Sequence, residues 1–275
     1  MIVLPSTITN ICFGGDIHGA FDLILYKIRQ YDIHDTAIFL CGDVGFGFES
    51  YNCYKDSIIP RMHKVLKKYN NIIICIRGNH DNKKYYDGKL INTKYVKAIS
   101  DYTIVNVCNK NILCIGGGTS IDRMYRIREN NKKLEQYAHY HKCSIEDALE
   151  KCSLYYWEDE IIEYQPKVTE RVDIICSHSA PSFCYPTDKG GIVMEYANYD
   201  ETLLEDIQKE RETLDLIYND YKDTISHWYY GHFHQSMFQE INNVKFRLLD
   251  IGELIQHVDD NYIWESCRQT RKSIY

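Results

Sequence analysis

Asn71–Asp81 reads NIIICIRGNHD, an unbroken apolar run followed at once by arginine, glycine, asparagine, histidine and aspartate. A run of this length, closed by polar residues, reads as a strand buried on both faces. Ligands of α/β sheets gather at the carboxyl ends of the strands, and four polar side chains stand here at such an end. Upstream the same rhythm repeats. NICFGG (10–15) and TAIFLCG (36–42) read as strands. AFDLILYKIRQYD (20–32), with Leu23, Ile24 and Ile28 at helical spacing, and SIIPRMHKVLKKY (57–69) read as amphipathic helices. The order is β-α-β-α-β, and each strand ends in glycine beside a polar or acidic residue: GGDIHG, CGDVGFG, RGNHD.

Downstream, YTIVNVCN (102–109) and KNILCIGGG (110–118) read as a hairpin. From about 119 to 170 the chain becomes charged, tyrosine-rich and helical in character, with a capping-box-like Ser144 and Asp147. VDIICSH (172–178) resumes the strand pattern. A helix around Tyr199–Tyr218, a strand ISHWYYGHFH (225–234) and a hairpin SMFQEINNVKFRLLDIG (236–252) follow. The expectation is one α/β domain over 1–275 with a cap-like insertion at about 119–170.

Composition removes several classes. The 44% hydrophobic and 26% charged fractions are those of an ordinary globular protein. No apolar run approaches a membrane span, and the first residues read as a strand and not as a signal peptide, so the expected compartment is the cytoplasm with no membrane partner. The 11 cysteines form no CxxC pair, and Cys41, Cys75, Cys114 and Cys176 lie inside apolar runs, so buried free thiols are expected. A net charge of -7 argues against a partner such as long duplex nucleic acid.

The polar residues that follow strand-like runs are Asp16, His18, Asp43, Asn79, His80, Asp81, His178, His232 and His234. Asp16 and His18 are two apart, as are His232 and His234, and on an extended chain such pairs point the same way. A single Asp-x-His after a strand is commonly a helix cap beside an unremarkable histidine. Five polar clusters at strand ends are a different matter. Carboxylate, carboxamide and imidazole without cysteine suit a divalent metal of intermediate hardness: Mn, Fe, Zn or Ni.

With these residues in place the chain resembles the calcineurin-like metallophosphoesterases. Five signature blocks occur in order: GDIHG, GDVG, GNHD, SHSAP and GHFH, from Asp16 to His234. The resemblance implies a four-layer α/β/β/α sandwich with a helical insertion. It also implies two divalent ions, Mn being favoured in vitro, one held by Asp16, His18, Asp43 and His234, the other by Asp43, Asn79, His178 and His232. A bridging hydroxide would then attack phosphorus, with His80 as general acid and Asp81 fixing its tautomer. Arg77 would grip a phosphoryl oxygen, as the arginine of R-G-N-H does in the protein-phosphatase branch; a strand-end arginine is otherwise an ion-pair partner.

GDVGFG and GNHD depart from the G-D-x-V-D-R-G and G-N-H-E of the serine/threonine phosphatases, and favour a resemblance to the bacterial and phage-type phosphoesterases. The implied activity is phosphodiester or small-molecule phosphoester hydrolysis. The alternatives are a serine/threonine-type protein phosphatase or a nuclease acting on short or cyclic oligonucleotides. GGGTSIDRMYR and YYWEDE are similar to a G-G-(A/G)-x-S-x-D-(K/R)…R…W-W-x-x-E pattern of that bacterial set. There Arg123, Arg126 and Arg128 could supply positive charge near the metals, and Trp157 could stack on a ring of the substrate.

Overall fold

The computed structural model describes residues 1–149, 151–152, 154–186 and 190–258. In chain order the elements are β1 (Ile2–Val3), β2 (Asn10–Gly14), α1 (Phe21–Gln30), β3 (Thr36–Leu40) and α2 (Tyr51–Cys53), then a π-helical segment (Tyr54–Ile58) leading into α3 (Ile59–Lys68). β4 (Ile72–Cys75), β5 (Val96–Ala98), β6 (Thr103–Val107), β7 (Lys110–Ile115), α4 (Arg123–His141) and α5 (Ile145–Leu149) follow. The chain continues through β8 (Ile174–Ser177), α6 (Gly190–Ala197), α7 (Leu203–Tyr221), β9 (His227–Tyr230), β10 (Met237–Ile241), β11 (Val244–Leu248) and β12 (Leu254–Gln256).

The strands form two sheets, one in the order β1-β6-β7-β8-β9-β11-β10 and the other β12-β2-β3-β4-β5. β2, β3 and β4 run parallel, as do β7, β8 and β9. Strand periodicity explains the layers: in β3, Ala37 and Phe39 face the other sheet, while Ile38 and Leu40 face α1 and α3. Phe13, Phe39 and Ile74 of one sheet meet Val105, Cys114, Cys176 and Tyr229 of the other in the central core. On the far side Leu113, Trp228 and Phe246 pack under Leu214, Ile217 and Tyr221 of α7. The result is the α/β/β/α sandwich, whose second sheet the β-α rhythm of the sequence did not reveal.

The predicted buried thiols are free and buried at Cys41, Cys75, Cys114 and Cys176. Ser144 and Asp147 form the reciprocal cap, with Asp147 N donating to Ser144 Oγ at 3.1 Å and Ser144 N to Asp147 Oδ2 at 3.4 Å. Two expectations shift. The helix expected from Tyr199 starts at Leu203, because the Asp200 side chain is drawn to Arg123 and to the Thr202 amide at 3.2 Å. The strand expected over 225–234 stops at Tyr230, where the backbone turns sharply through Gly231–His234.

Asn71, the first residue of the deciding stretch, completes the sheet from its side chain. It is fully buried; its Oδ1 accepts from Thr36 N at 2.9 Å and its Nδ2 donates to Ile33 O at 2.7 Å. Asn71→Ala leaves a buried amide and a carbonyl without partners, which costs about 2–4 kcal/mol. Urea unfolding should show a lower midpoint at an unchanged slope. A shift within experimental error would contradict the role assigned to the side chain.

Candidate metal centre

Of the nine residues singled out at strand ends, all but Asp81 bring their side chains to one place. Asp16 and His18 follow β2, Asp43 follows β3, Asn79, His80 and Asp81 follow β4, His178 follows β8, and His232 and His234 follow β9. The local backbone is not the extended one expected of Asp16–His18 and His232–His234. φ is 44° at His18, 47° at Asp43, 70° at His232 and 50° at His234, all in the left-handed region that ordinary side chains avoid. Tight turns, and not alternation along a strand, aim these side chains. Two signature glycines make room for them. A Cβ on Gly78 would stand 2.0 Å from Asp43 Oδ1, and one on Gly231 would stand 2.2 Å from Asp16 Oδ1, so each carboxylate lies against bare backbone.

Asp16 and Asp43 are almost wholly buried. Asp16 Oδ1 accepts from the His232 amide at 3.1 Å, whereas Oδ2 faces His234 Nε2 at 3.1 Å and His18 Nε2 at 3.8 Å. Asp43 stands between the two halves of the cluster, with Oδ2 3.8 Å from His18 Nδ1 and Oδ1 3.5 Å from His178 Nε2. Burial first, then the charges of Asp16 and Asp81, push the Asp43 carboxyl well above its usual range.

His178 gives the sharpest test of what the cluster holds. Its Nδ1 lies 2.7 Å from the Cys41 carbonyl, an acceptor only, so the ring proton sits there and Nε2 presents a lone pair. That lone pair points at Asn79 Oδ1, 2.8 Å away, which also lies 2.9 Å from His232 Nδ1. Acceptors facing acceptors in a buried site are satisfied by a cation between them. His18 and His234 likewise bring their Nε2 atoms within 3.2 Å of each other. Asp16, His18 and His234 form one set of donor atoms able to hold a metal ion, and Asp16, Asp43 and His178 another. The residues fit divalent cations.

Around these donors lies an outer layer whose members the sequence offered only as letters of a pattern. Asn79 Nδ2 donates to Ser120 Oγ at 2.8 Å, and Ser120 Oγ in turn donates to Glu160 Oε2 at 2.5 Å. The Ser120 amide donates to Glu160 Oε1 at 3.0 Å. With its hydroxyl proton committed to Glu160, Ser120 can only accept from Asn79, which turns the amide oxygen toward His178 and His232. Burial pushes the Glu160 carboxyl up to about 8, opposed by the Ser120 bonds and the Arg123 charge. A cation held by the neighbouring donors would favour the carboxylate form.

Several expected roles are corrected by where the side chains go. Asp81 does not orient His80. Its Oδ1 accepts from the amides of Gly45 at 2.7 Å and Phe46 at 3.0 Å, and its Oδ2 from Val44 at 3.0 Å and Gly78 at 2.8 Å. It clamps the loops after β3 and β4 together. Arg77 does not reach a phosphate: it is 2% exposed, pairs with Asp101 at 2.8 Å and donates to the carbonyls of Asp159, Glu160 and Ile161. Arg123 is buried against Asp200 and against Asp206 at 2.8 Å, which fastens α4 to the start of α7. Trp157 packs with Leu134, Ala148 and Leu154 in a small core of its own. Arg128 is exposed on α4.

Arg126 is the arginine that faces the centre. It lines, with Asp43, Asn79, His80, His232 and His234, a cavity of about 280 Å³, and its guanidinium is held by Asp122 at 2.8 Å. His80 lines the same cavity; its amide donates to Asp43 Oδ1 at 2.8 Å, and its ring Nε2 lies 3.2 Å from Asn79 Nδ2. Burial, and next the charge of Arg126, push its imidazole well below the usual histidine range.

The family model described as calcineurin-like phosphoesterase matches residues 9–236. No curated protein matches the chain. Among solved structures, a phosphopantetheinyl hydrolase from Mycobacterium tuberculosis superposes with a TM-score of 0.41 at 10% identity, covering 94% of this chain and 98% of that one. A dimetal phosphatase from Danio rerio superposes with a TM-score of 0.43 at 13% identity, covering 89% and 88%.

The Glu160–Ser120–Asn79 chain generates a prediction. In Glu160→Gln an amide N–H can donate to Ser120 Oγ, freeing the hydroxyl to donate to Asn79 and favouring the flipped amide. Mn2+ affinity measured by calorimetry should fall about tenfold to a hundredfold, the range typical of lost outer-layer partners. Unchanged affinity would mean that the amide is oriented by other groups.

Proposed function

The chain belongs to the calcineurin-like phosphoesterase family of metal-dependent phosphoester hydrolases, and we propose that it cleaves phosphodiesters or small phosphate compounds at the cavity beside His80 and Arg126. In this reading Asp16, His18, Asp43 and His234 hold one divalent ion. Asp43, Asn79, His178 and His232 hold a second. The observation that carries it is the buried meeting of acceptors, His178 Nε2 against Asn79 Oδ1 at 2.8 Å, beside Asp16 Oδ2, which faces the Nε2 atoms of His234 and His18. When bound, such ions supply charge stabilisation at the phosphoryl oxygens and make hydroxide available near neutral pH.

The protein's own groups do the rest. Arg126, steadied by Asp122, offers its remaining N–H groups to a phosphoryl oxygen. Asn79 is kept in one orientation by Ser120, so the donor set is assembled before substrate arrives. His80 is neutral in the free protein, because burial and Arg126 disfavour its imidazolium. An anionic ester in the cavity offsets the arginine charge, favours protonation of the ring and lets it give that proton to the departing alkoxide. Residues 1–275 act as one catalytic domain, with about 119–170 as an insertion that brings Ser120, Arg126 and Glu160 to the centre.

A diester preference accords with the sparse cationic lining, since Arg126 is the only lysine or arginine among the described residues around the cavity. The free thiols accord with a cytoplasmic setting. Among the described residues no helix is long and apolar enough to cross a membrane.

The test compares leaving groups. His80→Ala should lower kcat on alkyl phosphoesters by roughly 10²–10⁴ but far less on p-nitrophenyl esters, whose leaving group needs no proton. With Mn2+ the wild type should cleave bis(p-nitrophenyl) phosphate faster than p-nitrophenyl phosphate, and chelator should abolish both activities. Equal losses on alkyl and aryl esters would remove His80 from the acid role; a monoester preference would move the assignment to a phosphatase.

A further inference from the structure

Two unlike sets of side chains line the cavity. One is polar and includes Asp43, Asn79, His80, His232, His234, Asp122 and Arg126. The other is the cluster of Ile121, Tyr185, Ile192, Val193, Tyr196 and Phe233. Tyr185 and Phe233 meet edge to face, with centroids 4.6 Å apart, and the Arg211 guanidinium carbon lies 3.7 Å from the Tyr185 ring centre, so that wall is braced from behind. Ile121, Tyr185 and Tyr196 pack on the small core of Val193, Leu203 and Ile207, which fixes α6 in place. Ile192 remains 45% exposed although it lines the cavity.

A sugar, a polyol or a second phosphate against this cluster would need hydrogen-bond partners or charge. The cluster offers only two phenol hydroxyls, and Arg126, the arginine that lines the cavity, is already shared with Asp122. Flat apolar surface flanked by tyrosine and phenylalanine suits a ring instead. We infer that the Ile121–Tyr185–Ile192–Tyr196–Phe233 wall is a subsite for a planar, largely apolar organic group carried on the phosphate. The substrate class is therefore an aryl or heteroaryl phosphoester, and not a polyol or sugar phosphate. This rests on the proposed reading of the metal centre, which places the phosphate beside Arg126.

The experiment uses non-hydrolysable phosphonates on the Mn2+-loaded protein, with affinity read by calorimetry. Phenylphosphonate should bind about tenfold or more tightly than methylphosphonate, as expected from burial of one ring face and edge. 2-Aminoethylphosphonate should bind no more tightly than methylphosphonate. In Ile192→Ala and in Tyr196→Ala the advantage of the phenyl group should shrink to about threefold or less. Ile192 is exposed enough that its truncation does not threaten the fold, so a loss there reads the wall and not unfolding. Equal affinities for the phenyl and methyl ligands, or tighter binding of the aminoethyl ligand, would overturn the inference. The reading of the metal centre fails separately: a direct Mn2+ titration of the metal-free protein would give no binding, while the phenyl-to-methyl ratio would still report on the wall.

Discussion

Two carboxylates, Asp16 and Asp43, are buried side by side at the ends of adjacent parallel strands. Like charges in a low-dielectric interior oppose each other and the fold that brings them together, which is why the Asp43 carboxyl is driven upward by burial and by its neighbour. Much of the surrounding structure answers that constraint. Gly78 and Gly231 give the carboxylates room against bare backbone. The His232 and His80 amides each donate to one of the carboxylates. The imidazoles of His18, His178 and His234 face them with nitrogens that can share a cation.

The centre was legible in the sequence because its chemistry is concentrated where strands end. Parallel strands finish at one edge of their sheet, so polar residues placed after NICFGG, TAIFLCG and NIIICI share a rim, and the stacking of the second sheet brings the residues after DIICS to it. What letters do not carry is direction. Asp81 sits next to His80, yet its side chain turns inward to collect four backbone amides. Arg77 sits one residue before Gly78, yet it points along the sheet to carbonyls about eighty positions away in sequence. The spacing of Asp16 and His18 suggested an extended pair, and only the left-handed turn at His18 explains how both reach the same place. The wall beyond the centre, with Ile192 and Tyr196 on a helix the sequence reading did not predict, was invisible for the same reason.

Buried polar ties fasten the segment between β7 and β8 to the sandwich. Leu134, Ala148, Leu154 and Trp157 make a separate core. Arg77 holds its far end through Asp159, Glu160 and Ile161; Arg123 holds its near end through Asp200 and Asp206. A guanidinium suits this task, since its donors lie in a rigid fork and it keeps its charge when buried. Glu160 is thereby set where its carboxylate can govern Ser120 and, through it, Asn79. Arg77 thus bears on the position of Asn79 only at a remove, through the backbone that carries Glu160.

The left-handed backbone at His18, Asp43, His232 and His234 also shapes how such a chain can change over generations. At these positions the fold tolerates glycine, asparagine and aspartate far better than valine, isoleucine or threonine, whatever is or is not bound nearby. Decay of the centre is therefore channelled. A descendant that abandoned catalysis would keep its architecture most easily by exchanging these residues for asparagine or glycine. The trace of a lost enzyme would be small polar residues at the turns of an otherwise intact sandwich, and not a collapsed or rebuilt rim.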